Sequence, residues 1–190
     1  MLVILIAELV FFLVVLVFAS FVLYSLMVSQ FYGAPYVPLP QKSLKAIFDF
    51  AELNPPAGGD ENFYDLGAGD ARVLIKAVND FSVKEAVGYE VAHWPYWKAK
   101  FLVRHYGLDD KIKVIRQDFL GADLSGAKTV FMYLFDKLVQ KAALKLAREL
   151  GPEAKVVCVS FPIKNPEAIG FRLKKQGKAG NFSVFVYEKV

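Results

Sequence analysis

The sequence predicts an α/β fold: a doubly wound sheet of seven strands, mostly parallel, that ends in an antiparallel hairpin and follows one transmembrane helix. Three observations lead to it. Short apolar runs alternate with helical patterns from about residue 62 to residue 161, which is typical of parallel strands joined by crossover helices. Residues 170–190 contain two more strand-like runs with no helix between them. The first thirty residues carry almost no charge.

The N-terminal segment is long enough to cross a bilayer. No residue from Leu9 to Val28 is charged, and such a helix, at about 1.5 Å per residue, covers a hydrocarbon core of about 30 Å. An uncleaved anchor is favoured over a signal peptide, because the apolar stretch exceeds the usual signal length and neither Lys nor Arg precedes it. Lys42 and Lys45 follow the span. The positive-inside bias therefore predicts a single-pass protein whose folded part is cytoplasmic.

A connector and a helix come next. The segment QFYGAPYVPLPQ contains three prolines and a glycine, which cannot continue a helix and predict an extended chain. KSLKAIFDFAEL then has the apolar spacing of a helix that buries one face, at Leu44, Ile47, Phe48 and Ala51. We therefore expect a transmembrane anchor in residues 1–30, a connector and N-terminal helix in 31–61, and one folded domain in 62–190.

The folded part has a regular order of elements. Its strand-like runs are FYDL, AVGYE, IKVIRQ, TVFMYLF and AKVVCVSF. Helical patterns follow the first, second and fourth runs and reach about Asn79, His105 and Leu150. The tail adds two strands around a Lys-Ala-Gly-Asn turn. A parallel sheet with crossover helices is the Rossmann-like arrangement, here closed by an antiparallel hairpin.

Charge and reactive residues narrow the function classes. The net charge is +4 and the pI is near 9.0, but the basic residues are scattered. Their nearest cluster, RLKKQGK at 172–178, fits a solvated face or turn better than a phosphate-binding patch, and no nucleic acid is expected as a partner. The single Cys158 lies in an apolar run and should be buried. His93 and His105 have no other ligand at suitable spacing, so no metal is expected.

The loop after the first strand is the candidate ligand site, because open α/β sheets bind ligands at the carboxyl ends of their strands. It reads Gly67, Ala68, Gly69, Asp70. Gly67 allows a tight turn, and Gly69 lets a ligand approach the backbone at the helix start. The dinucleotide fingerprint needs a third glycine where this chain has Arg72, which counts against a bound pyrophosphate.

Three acidic residues stand at the ends of three successive strands. Asp65 can accept hydrogen bonds from a cationic amino group. Glu90 closes VGYE, where a carboxylate can take both hydroxyls of a ribose. In RQDF, Asp118 can accept from an adenine amino group and Phe119 can stack on the ring. This set fits a ligand with an ammonium group, a ribose and an adenine better than one with two phosphates.

DLGAGD, GYE and QDF resemble, in order and spacing, the first, second and adenine-contacting motifs of the class I, seven-strand S-adenosylmethionine-dependent methyltransferases. The resemblance covers roughly residues 62–190. It implies S-adenosylmethionine as the cofactor and a binding set of Asp65, Gly67, Gly69, Asp70, Glu90, Asp118 and Phe119. The methionine end would lie at the glycine turn, the ribose at Glu90 and the adenine at Asp118 and Phe119. The alternative is a sheet whose loop acids are merely solvated.

A closer resemblance spans nearly the whole chain. The N-terminal membrane helix, PYVPLP, DLGAGDARV, GYE, a strand ending in YLF and one ending in SFPI are similar to the membrane-anchored protein-lysine methyltransferases of the ATP synthase c-subunit and the adenine nucleotide translocase, and to their prokaryotic relatives. This implies methyl transfer to an accessible lysine of a membrane protein, with residues 1–30 in the bilayer. The membrane would be the plasma membrane in a prokaryote and a mitochondrial membrane in a eukaryote. A lipid amine or a quinone-like acceptor, and a tethered binding module without activity, are open alternatives.

The candidate catalytic residues are Tyr36, Tyr133 and Asp136. Tyr36 in the connector, with Tyr133 and Phe135 after the fourth strand, can form an aromatic wall for a lysine ammonium. Asp136 opens the next helix, where it either orients the amine or caps the helix. The Asn/Asp-Pro-Pro-aromatic pattern of enzymes that methylate planar nitrogens is replaced by YLFD, which disfavours such acceptors.

An aromatic run follows Glu90. Trp94, Trp97 and Phe101 recur at helical spacing, which fits core or membrane-facing packing better than a ligand cage.

Overall fold

A computed structural model describes residues 2–31, 37–53, 62–81 and 83–190. Its first element is helix α1, Leu2–Phe31, which at about 1.5 Å per residue is roughly 45 Å long. Within Leu2–Tyr24 an 18-residue window reaches a mean hydropathy of 3.2, and no residue of that window is buried by the rest of the chain. By length and composition it can cross a membrane. The helix extends beyond the uncharged stretch Leu9–Val28 at both ends, and the single charge of Glu8 does not interrupt it.

The described residues form one seven-stranded sheet, as predicted. In spatial order its strands are β3 Ile112–Ile115, β2 Glu85–Tyr89, β1 Asn62–Leu66, β4 Thr129–Met132, β5 Lys155–Val159, β7 Phe182–Lys189 and β6 Phe171–Ala179. The pairs within β1 to β5 are parallel, while β7 pairs antiparallel with both β5 and β6. The chain leaves β1 towards β2 on one side and reaches β4 on the other, so the strand order reverses beside the carboxyl end of β1. Ligands bind at such a switch point.

Four further helices flank the sheet in the described part of the chain: α2 Gln41–Phe50, α3 Arg72–Asp80, α4 His93–His105 and α5 Asp136–Glu149. Helix α2 buries Leu44, Ile47 and Phe48 completely, and the Phe48 ring lies 4.9 Å from that of Phe81 and 5.8 Å from that of Phe131. The predicted amphipathic helix before the first strand therefore belongs to the core on one face of the sheet.

The structure also bears on two smaller predictions, for Cys158 and for the basic run at 172–178. Cys158 is fully buried in β5, and burial raises the pKa of its thiol. The basic run at 172–178 lies in β6, an edge strand whose residues alternate in exposure. It is a solvated face rather than a turn, with Lys174 paired to Glu188 and Lys175 to Glu52.

Candidate functional site

A cavity of about 220 Å³ opens at the carboxyl ends of β1, β2, β3 and β4. Eight residues singled out from the sequence line it: Asp65, Gly67, Gly69, Asp70, Glu90, Asp118, Phe119 and Tyr133. They come from the ends of four strands and the loops that follow, and they meet because parallel strands end at one edge of the sheet. The wall also includes Val37, Pro38 and Leu39 from the connector.

The glycine turn is fixed to the neighbouring strand. The backbone amides of Gly67 and Ala68 both donate to the carbonyl oxygen of Tyr89, each at 2.9 Å. Gly67 has φ +86°, and a Cβ there would lie 2.9 Å from Cδ2 of Leu134. A side chain at this position would therefore suffer both an unfavourable backbone conformation and a clash.

Gly88 in β2 is a residue that we did not single out from the sequence. A Cβ on it would lie 2.6 Å from Cβ of Ala68 and 2.6 Å from Cδ1 of Leu74. The glycine turn and the start of α3 thus rest directly on the backbone of β2. A glycine inside a strand often marks such a close approach, so the glycine of VGYE could have indicated this contact from the sequence.

Asp65 is buried without a partner on one oxygen. The residue is 2% exposed, and its Oδ2 accepts no hydrogen bond from any residue that the structure describes. Burial raises its pKa well above the usual value, and the nearby charges of Glu90 and Asp70 add to this shift. Such a carboxyl group is stable either as the neutral acid or beside a cation. The orphan oxygen thus points to a cationic ligand group.

Glu90 is held in place by backbone amides. Its Oε2 accepts from the amide of Gly69 at 2.9 Å and its Oε1 from the amide of Ala92 at 2.7 Å. Burial raises the pKa of Glu90, and these backbone hydrogen bonds oppose the shift. The amide of Val91 also donates to this carboxylate, which has about four acceptor positions, so acceptor capacity remains for a ligand hydroxyl.

Asp118 and Phe119 follow β3 at the far end of the cavity. Oδ1 of Asp118 accepts from the amide of Leu120 at 2.9 Å and so starts a short 3₁₀ helix, Phe119–Gly121. The Phe119 ring is 7% exposed and contributes to the cavity wall. A flat apolar ring beside a fixed carboxylate suits a planar heteroaromatic group that carries a donor.

Asp70 is engaged within the protein. The guanidinium of Arg72 donates to both of its oxygens, at 2.7 and 2.6 Å, and Nζ of Lys98 lies 2.9 Å from Oδ2. Arg72 also donates to the carbonyl oxygen of Leu39 at 2.9 Å. This ion cluster ties the glycine turn to α4 and to the connector, and sequence patterns gave no sign of it.

The residues predicted around the acceptor are not all brought together. Tyr36 lies outside the described residues. Tyr133 is half-buried in the cavity wall, and its ring meets that of Phe182 edge-on at 5.9 Å. Phe135 is 42% exposed and packs near Phe161, 6.2 Å away, without lining the cavity.

The structure corrects the capping role expected for Asp136. This residue is the first of α5 rather than its cap, which is Phe135, and it does not line the cavity. Its carboxylate accepts from Nζ of Lys164 at 2.6 Å and from Nε2 of Gln140 at 3.0 Å, and the Lys164 hydrogen bond lowers its pKa. These contacts hold the loop after β5 against α5, and a role of Asp136 in orienting a substrate amine stays a prediction from the sequence.

Comparison with known proteins identifies the family. The sequence profile of the ANTKMT methyltransferase domain matches residues 65–169. A protein-lysine N-methyltransferase of Saccharolobus islandicus (strain REY15A) is 32% identical over 155 residues, which are 80% of this chain and 92% of that protein. The lysine N-methyltransferase of the ATP synthase c-subunit from Xenopus laevis is 25% identical over 131 residues, 69% of this chain and 55% of its own length. The chain thus spans only about half of that vertebrate protein.

The fold has close counterparts among solved structures. An RNA methyltransferase from Salinibacter ruber in complex with S-adenosyl-L-homocysteine superposes with a TM-score of 0.71, at 24% identity, over 80% of this chain and 94% of its own. At this identity the likeness establishes the class I methyltransferase fold and nothing about the acceptor.

Proposed function

Because the chain belongs to the ANTKMT methyltransferase family and is a protein-lysine N-methyltransferase, we propose that it uses S-adenosylmethionine and modifies a lysine of a membrane protein from a membrane anchor formed by α1. The observation that carries the proposal is which part of the chain forms the cavity wall. Residues 37–39, which follow α1 closely in the chain, line the same cavity as Asp65. Six peptide units separate Phe31 from Val37, so this wall lies within about 22 Å of the end of α1.

The residues present fit S-adenosylmethionine. Asp65 offers the orphan carboxylate oxygen to an ammonium group, and Glu90 offers its remaining acceptor positions to ribose hydroxyls. Asp118 and Phe119 provide the acceptor and the apolar face for an adenine, and the two glycines leave room at the turn. When bound, S-adenosylmethionine supplies a methyl group carried on a sulfonium sulfur.

Asp70 contributes in a different way from the other acids. Arg72 and Lys98 already engage its oxygens, so we assign it to fixing the turn rather than to touching the cofactor. The same cluster holds Leu39 and thereby the connector wall. Closing one side of the cavity with connector residues excludes water and limits the space in which the acceptor nitrogen can lie.

The acceptor lysine must be presented as a neutral amine. Tyr133 supplies an aromatic surface favourable to the ammonium and to its methylated forms, and removal from water favours loss of the proton. Among the described cavity-lining residues there is neither histidine nor cysteine, so we assign the chain's contribution to positioning and desolvation. The role of Tyr36 in this wall stays a prediction from the sequence.

Anchoring explains the choice of substrate. An enzyme and a substrate confined to one membrane meet at a raised effective concentration, and a cavity close to the end of α1 favours lysines near the membrane surface. The Xenopus relative, which is named for an ATP synthase component, supports this class of substrate. We propose residues 1–30 as the anchor, 31–61 as connector and packed helix, and 62–190 as the methyltransferase domain on the cytoplasmic side.

The test follows a labelled methyl group from S-adenosylmethionine into isolated membranes that contain the full-length chain. Protein and extracted lipid are separated before counting. Asp65→Asn keeps the shape of the side chain and removes its charge. The matched control is Asp80→Asn on α3, an exposed carboxylate that pairs with Lys76 away from the cavity.

Label in a membrane protein that disappears with Asp65→Asn and persists with Asp80→Asn supports the proposal, and mass spectrometry then locates the lysine. Label confined to the lipid fraction would contradict the protein substrate while leaving the cofactor assignment in place. Equal labelling by the wild type and Asp65→Asn would contradict the role of Asp65.

A further inference from the structure

Helix α4 carries an exposed aromatic stripe. Trp94, Trp97 and Phe101 are 40%, 59% and 67% exposed, and their spacing of three and four residues places them on one face. The opposite face, with Pro95, Ala99 and Val103, is buried. The stripe therefore belongs to neither the core nor the cofactor cavity, and large exposed apolar side chains in one patch mark an interaction surface.

The charged residues of α4 itself are all basic. The helix contains Lys98, Lys100 and Arg104 and no acidic residue; Lys98 pairs with Asp70 and Arg104 with Asp109, both outside the helix. Tryptophan and phenylalanine on one side with lysine and arginine beside them are typical of a helix that lies in a membrane interface, where aromatic rings enter the headgroup region and basic groups meet anionic lipids.

Helix α1 meets α4 at the start of the stripe. The ring of Phe18 contacts Trp94 edge-on at 6.1 Å, and Phe21 and Tyr24 lie 6.4 and 6.2 Å from His93. Phe18 belongs to the apolar stretch Leu2–Tyr24 and lies about 9 Å along the helix axis from Tyr24. If α1 spans the bilayer, this contact brings Trp94 against the membrane-spanning part of α1.

We propose that α4 is a second membrane contact, which lies in the cytoplasmic interface with Trp94, Trp97 and Phe101 inserted among the lipids. The proposal rests on the membrane anchoring by α1 proposed above. Its occupant is the lipid bilayer itself, because the stripe continues directly from a residue of the apolar span.

This contact sets the orientation of the cavity. Helix α4 begins after Glu90 and Val91, which line the cavity, and its Lys98 pairs with Asp70 in the cavity wall. A helix fixed in the interface therefore holds the opening of the cavity at the membrane surface. Acceptor lysines at that level are reached, while lysines far out in the cytoplasm are not.

The chain offers a direct probe, because Trp94 and Trp97 are its only two tryptophans. The full chain is reconstituted in vesicles of phosphatidylcholine with an anionic lipid, with and without bromine on the acyl chains. Trp94→Phe leaves Trp97 as the reporter, and Trp97→Phe leaves Trp94. Flotation of the vesicles measures anchoring independently of fluorescence.

We expect both single-tryptophan variants to float, to emit at shorter wavelength than tryptophan in water, and to lose intensity with bromine placed near the headgroups more than with bromine at the bilayer centre. The inference is overturned, with the anchor left intact, if the chain floats but the fluorescence of Trp97 is quenched by aqueous acrylamide and not by bromine. A chain that fails to float refutes anchoring and the inference together. Protection of Trp97 only after a substrate protein is added would assign the stripe to that protein and overturn the lipid contact.

A charge substitution provides the matched comparison. Phe101→Glu in the Trp94→Phe background places a carboxylate in the stripe and should reduce the bromine quenching of Trp97 by about twofold or more, since a charge in the acyl boundary is unfavourable. Leu144→Glu on α5, where Leu144 is 50% exposed, makes the same change on another helix and should leave the quenching unchanged. Equal effects of the two substitutions would contradict insertion of the stripe.

Discussion

Replacing Gly88 with alanine should displace the glycine turn, which packs directly on the backbone of β2 at this residue. The new Cβ would lie 2.6 Å from Cβ of Ala68 and 2.6 Å from Cδ1 of Leu74. Restoring an ordinary contact of 3.4 Å requires a movement of about 0.8 Å. Leu74 can rotate, but Ala68 can move only together with its backbone, which is the turn itself. We therefore expect a loss of about 1 to 3 kcal/mol in the free energy of unfolding, as for other overpacked cores.

Two measurements test the Gly88 prediction. For a chain of 190 residues, this loss corresponds to a fall in Tm of roughly 2 to 12 °C, which thermal unfolding of the detergent-solubilised protein records. Because a displacement near 1 Å can cost about a hundredfold in rate, methyl transfer should fall by a similar factor. Gly151→Ala is the control, since a Cβ there meets no atom within 4 Å. Unchanged Tm and unchanged methyl transfer in Gly88→Ala would refute the reasoning.

Three further changes probe the charges of the site. A ligand ammonium lowers the raised pKa of Asp65, so cofactor binding should release protons and should tighten as the pH rises through the pKa that Asp65 has in the free protein. Calorimetry in buffers of different ionisation enthalpy measures this proton release. Asp65→Asn should bind the cofactor weakly and without such proton release. Arg72→Met leaves Asp70 with Lys98 as its charged partner and should lower the free energy of unfolding by about 1 to 3 kcal/mol, measured by urea unfolding, with Arg72→Lys recovering part of the loss. Asp136→Asn should keep the rate of methyl transfer within about twofold of the wild type, which corresponds to a change in the activation barrier near 0.4 kcal/mol. A hundredfold fall in that rate would show that Asp136 takes part in catalysis.

The cavity wall at the proposed cofactor end was predictable from the sequence. Asp65, Glu90 and Asp118 follow three strand-like runs separated by helical patterns, and parallel strands deliver the residues at their carboxyl ends to one edge of the sheet. The two glycines mark the turn because few other residues adopt a positive φ. These are local signals with a fixed geometric consequence, and the seven residues predicted for the cofactor line one cavity.

The contacts around the proposed acceptor end were harder to predict because they join distant segments. Asp136 pairs with Lys164, 28 residues later in the chain. Arg72 reaches Leu39, 33 residues before it. No periodicity or motif encodes such pairs, since each depends on the distance between elements after the sheet has formed.

The sequence by itself determined the order of elements, the apolar N-terminal helix, the glycine turn and the three acids, because hydrophobic periodicity and backbone preference act over a few residues. Only the tertiary structure decided which charges are already paired, which carboxylate oxygen is left without a partner, and which face of α4 stays exposed beside α1. Those properties depend on burial and on interatomic distance, and both arise when segments far apart in the chain pack together.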